Sequence, residues 1–126
     1  MSKINIKHIK HLNNEYLRGL DFYLQELGFL QERLEEVAKG NTGAEASEGI
    51  EHFQNQLIIH RDYIEELRHL IHANNKRMEE QLQQTWVFVD EKTADEHQAL
   101  NEQYLIEEKM FNEMRHEFNR FAAKWL

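Results

Sequence analysis

The chain has 126 residues, 40% hydrophobic and 30% charged, and its 23 acidic and 15 basic side chains leave a net charge of −8. That suits one domain over residues 1–126, apolar enough to fold, with no apolar run long enough to cross a membrane. The absence of cysteine excludes disulfides, thiolate metal sites and cysteine nucleophiles. The acidic balance makes nucleic acid an unexpected partner, because phosphate backbones are repelled.

Proline is absent and only five glycines occur, so little interrupts a helix. Met1 to His8 carry no apolar signal core, and a cytoplasmic protein is expected. Lys3, Lys7 and Lys10 read as a solvated helix end.

The first predicted helix runs over about 3–39. Its seam is Ile6, Ile9, Asn13, Tyr16, Leu20, Tyr23, Leu27, Leu30, Leu34 and Val37, with spacings that alternate three and four as in a heptad. Gly40 is expected to close it in the left-handed conformation. Residues 40–47 then read as a turn, with Thr42 and Glu45, or Ser47 alone, capping the next helix.

The second predicted helix spans about 46–89. Its seam is Ile50, Phe53, Leu57, His60, Ile64, Leu67, Ile71, Asn74 and Met78, fading through Gln81 and Thr85 to Phe88. The run from Thr85 to Val89 has some strand propensity but stands too isolated to make a sheet. The third helix, about 94–126, carries His97, Leu100, Tyr104, Glu107, Phe111, Met114, Phe118, Phe121 and Trp125. The last two seams are out of register, so a break is needed. Thr93 with Glu96 has the form of a capping box, which places the turn at Asp90 to Thr93. Short turns make neighbours antiparallel. The expected fold is an all-α, up-down-up bundle of three long helices.

Antiparallel pairing about these turns predicts which residues lie level. Asn13 falls beside Asn74, two seam amides that can bond each other and pin the register. His60 falls beside Leu27 as a hydrogen-bonded core histidine. Glu107 falls near Arg77, where an ion pair is expected. The third helix would run out level with residue 59. Residues 28–58 would then protrude by ~20 Å, at 1.5 Å per residue. That tip carries Leu34, Val37, Ile50, Phe53 and Leu57, with Phe22, Phe29 and Ile58 apolar off the seam. Such apolar surface marks an interaction site. The expected partner is a second copy, giving a homodimer through paired tips, or another helical protein. A tip covered by its own loop, or Phe22 and Phe29 packed on a bent third helix, are the alternatives.

No catalytic residues are predicted. Serine occurs only as Ser2 and Ser47, neither in a nucleophile setting, and no glycine loop for phosphate or phosphotransfer histidine motif is present. The polar faces are rich in acids and unsuited to a membrane surface. The sharpest chemical pattern is a pair of Glu-x-x-His motifs, Glu66 to His69 and Glu113 to His116. Di-metal carboxylate bundles use two such motifs, and His11 with Glu15 has a hemerythrin-like spacing. All of these residues occupy outer helix positions, where ligands cannot converge, so no cofactor is expected. A metal-binding bundle, di-metal or hemerythrin-like, using Glu66, His69, Glu113 and His116 stays as the alternative to a non-catalytic interaction or scaffold module, and a surface site shared between subunits escapes the facing argument.

Overall fold

A computed structural model describes residues 5–83 and 90–126. Three helices, α1 (Ile6–Gly40), α2 (Ala44–Gln83) and α3 (Glu91–Trp125), pack against one another. The protein is an all-α three-helix bundle, and the described residues contain no sheet. The predicted end of the second helix over 84–89, with its Thr85–Val89 run, and the residues before Asn5 lie outside the described residues.

The described helix ends have identifiable chemistry. Asn5 caps α1 by accepting the Lys7 backbone N–H on its side-chain oxygen at 2.8 Å. Gly40 ends α1 as an ordinary helical residue, and the close comes from Asn41 in extended backbone (φ −141, ψ 112). The Asn41 amide donates to the Val37 and Trp125 carbonyls, each at 3.0 Å, which ties the C-termini of α1 and α3 together. The helix begins at Ala44, so Ser47 sits inside the first turn of α2, with its backbone N–H on the Gly43 carbonyl. The cap of α3 is Asp90, whose carboxylate accepts from the Thr93 N–H at 2.8 Å. Thr93, expected at the cap, is a buried first-turn residue that accepts from Gln81 Nε2.

The heptad seams become the core. Leu20, Leu27, Leu34 and Val37 of α1, Leu57, Ile64, Leu67 and Ile71 of α2, and Phe111 and Phe118 of α3 are almost wholly buried. The parallel helices α1 and α3 hold a constant offset of 84 or 85 residues at Asn13–His97, Tyr23–Glu108 and Asn41–Trp125. A multiple of seven keeps both seams pointing at the same axis over the full length.

The register of α3 against α2 differs from the sequence expectation. His60 meets Glu107, Asn74 meets the Thr93 carbonyl and Glu45 meets Lys124. These contacts set α3 about 17 residues closer to the first turn than the sequence expectation, roughly 25 Å. Consequently α3 runs beside the whole first hairpin, and no bare tip protrudes. Leu34, Val37, Phe53 and Leu57 are buried and Ile50 is half-buried. Arg77 pairs with Glu96, not with Glu107.

Candidate interaction site

The heptad positions beside the core seam determine what remains outside. One flank of α2 is occupied by α1: Arg68 pairs with Asp21 at 2.8 Å, and Asn75 donates to Asn14 at 3.4 Å. The other flank carries Gln56, Ile59, Tyr63, Glu66 and Leu70, spaced by three and four. On α3 the matching flank carries Gln103, Ile106 and Met110. These two stripes border a groove of about 340 Å³ lined by Ile59, Tyr63, Ile106 and Met110 above His60 and Glu107. A smaller hollow with Tyr63, Leu70 and Gln103 continues it. The walls are open to solvent: Ile59 is 59% exposed, Ile106 57% and Met110 51%. Isolated exposed apolar residues need no explanation, but four on facing helices around one groove form a patch.

The floor of the groove is polar. His60 is 4% exposed and Glu107 3%. The His60 Nδ1 bonds the Glu107 carboxyl, with its second oxygen at 3.2 Å. The Phe111 ring stands edge-on to the imidazole at 5.9 Å. Water is largely excluded from this pair, so each group depends on the other for its hydrogen bond. Burial raises the Tyr63 phenol above its ordinary pKa of 10.0, and the neighbouring Glu107 and Glu66 raise it further.

A second polar cluster lies toward the far end of the bundle. Asn13 donates to Asn74 at 2.8 Å and to Asn75 at 2.9 Å, and accepts from His97 Nδ1 at 3.0 Å. Asn74 in turn donates to the Thr93 carbonyl at 3.3 Å. Burial lowers the His97 pKa, and His8 adds to the shift. This layer separates a small apolar cluster of Ile6, Ile9 and Met78 from the main core. Its members satisfy one another, which suits a register device rather than a reactive site.

The sequence-derived sites separate in the structure. Asn13, His60, Asn74 and Glu107 are all buried. Asn13 bonds Asn74 as read from the seam, whereas Glu107 finds His60. Of the eight residues assigned to an interaction surface, Phe22, Phe29 and Ile58 are exposed, while Leu34, Val37, Phe53 and Leu57 belong to the core. Phe29 borders a separate hollow between α1 and α3 with Arg33, Arg115 and His116. Glu66, His69, Glu113 and His116 are exposed, and the observed register sets the two motifs about 17 residues apart along the bundle. Among the described residues no group of three or more His, Cys, Asp or Glu side chains could hold a metal ion, and no helix is long and apolar enough to cross a membrane.

The groove residues Ile59, Tyr63, Ile106 and Met110 escaped sequence reading because attention to a/d seams hides a flanking stripe. The signal was present as a second row with the same spacing, and it becomes interpretable only when the register shows the two rows facing each other. No known family model matches the chain, and neither a curated protein nor a solved structure shows significant similarity to it.

Proposed function

We propose that this chain is a non-catalytic helical interaction module whose contact surface is the groove between α2 and α3. The observation that carries this reading is the exposed apolar patch of Ile59, Tyr63, Ile106 and Met110 around one groove. Two antiparallel helices offer side-chain rows at three- and four-residue spacing, and a third helix laid between them meets those rows with its own i, i+3, i+4, i+7 anchors. Self-association through a hairpin tip loses its basis, since α3 covers that tip. A second copy is then one candidate occupant of the groove. The metal-binding alternative gains nothing from geometry, because its four side chains point to solvent on separate parts of the bundle.

A photo-cross-linking residue at position 106 tests the reading, with the same residue at the exposed position 36 of α1 as control. Adducts formed in cells from position 106 alone, mapping to the apolar face of a helix, support a docking groove. Equal adducts from both positions, or none specific to 106, refute it.

A further inference from the structure

Charge determines the character of the partner, and the inference rests on the reading of the groove as a docking site for a helix. The stripes that form the groove continue along both helices at the same spacing. Their nearest charged members are Glu66 on α2 and Glu96, Glu113 and Glu117 on α3. Glu96 is already matched by Arg77, whereas Glu66, Glu113 and Glu117 have no basic side chain within ion-pair distance among the described residues. Lys109, beside Met110, and Arg120, the stripe position beyond Glu117, are the cations that adjoin it on α3. The buried Glu107 carboxyl in the floor is already matched by His60. An apolar centre with acidic ends repels another acidic surface and attracts a basic one. A second copy of this chain brings the same acidic stripe and a net charge of −8 with it.

We infer that the α2–α3 groove receives a basic amphipathic helix, its apolar face on Ile59, Tyr63, Ile106 and Met110 and its lysines or arginines beside Glu66, Glu113 and Glu117. The aliphatic stems of such side chains cover the apolar walls while their charges reach the rim. The same long-range field that steers a cationic partner inward makes the encounter salt-dependent.

The test uses two synthetic helical peptides of about 18 residues, with leucines on one face and lysines, or in the twin glutamates, on the other. Fluorescence anisotropy tracks their titration with the full chain at low salt and at ~0.5 M salt. Two variants accompany it: Ile106→Gln with Met110→Gln to make the walls polar, and Glu66→Lys with Glu113→Lys to reverse the rim. All four positions are exposed, and circular dichroism verifies the fold. The lysine peptide should bind at least about tenfold tighter than its twin, weaken with salt, lose about tenfold with the polar walls, and cede its advantage to the glutamate peptide on the reversed rim. Twins that bind alike, both weakened by polar walls, overturn the charge inference and leave the docking reading standing. Lysine-peptide binding that ignores the polar walls is adsorption to an acidic surface and overturns the inference as well. Failure of both peptides overturns it too, and light scattering then separates the two readings. A dimer split by the polar walls makes the occupant a second copy, and a monomer removes the docking groove itself.

Discussion

Removal of His60 alone should cost more than removal of His60 and Glu107 together. The two groups are 4% and 3% exposed and bond each other beneath the groove. His60→Leu leaves the Glu107 carboxyl buried without its partner, and uncompensated buried charges of this kind cost about 3–5 kcal/mol. For a domain with total stability of about 5–15 kcal/mol, that is a large share. With a urea slope of about 2 kcal/mol per molar, the midpoint should fall by ~2 M. The double variant His60→Leu with Glu107→Leu replaces both polar groups by apolar ones and should recover most of the loss, since buried ion pairs exchanged for well-packed leucines are often neutral. Urea unfolding of the wild type, both singles and the double completes the cycle. A coupling energy below about 0.5 kcal/mol, with His60→Leu nearly silent, would mean that the pair is solvated or unformed and would refute the buried floor of the groove.

Three other contacts lead to measurable outcomes. A Cβ at Gly19 meets the Tyr104 hydroxyl, which is held against Tyr16 with rings 4.6 Å apart, whereas a Cβ at Gly28 meets nothing within 4 Å. Gly19→Ala should therefore destabilise by about 1–3 kcal/mol by overpacking, and Gly28→Ala should stabilise by about 0.5–1 kcal/mol by helix propensity, both read from thermal melting. Asn13→Leu deprives Asn74, Asn75 and His97 of their shared partner, so its loss in chemical unfolding should reach about 3 kcal/mol, the cost of several unmet buried groups. His97 is buried with its pKa lowered from 6.5, so the unfolded chain binds more protons than the folded one. Its contribution is intact above pH 6.5 and is lost as pH falls through that value toward the lowered folded pKa. Urea midpoints at pH 7.5 and 5.5 should diverge less in His97→Gln than in the wild type.

Helix identity, core membership and the Asn13–Asn74 bond were legible because a heptad row is a strong signal and an apolar row must be buried somewhere. Helix ends were less so, and one of them mattered. Thr93 and Glu96 look like a capping box, yet Asp90 stands three residues earlier and is an equally good cap. Gln81 settles the choice through tertiary contacts, accepting the Asp90 N–H and donating to the Thr93 hydroxyl. Residues 79–96 contain no glycine or proline to mark a turn in the sequence. In an antiparallel pair, a shift in the turn moves the partner by twice as much. That error created an imaginary bare tip, assigned Glu107 to Arg77, and set His69 level with His116. The interaction surface moved accordingly, from the seam residues Leu34, Val37, Phe53 and Leu57 to the flank residues Ile59, Tyr63, Ile106 and Met110.

The groove exists as described only if α3 lies along the full length of the hairpin. Because the chain has no cysteine, two introduced cysteines can carry spin labels without background. Labels at exposed positions 45 and 124, where Glu45 and Lys124 meet at 2.5 Å, read the register directly by double electron–electron resonance. Side-by-side helices in this register predict a distance distribution centred below about 20 Å. A centre at about 25 Å or more, as a slide of about 17 residues produces, would restore the bare tip and contradict the groove.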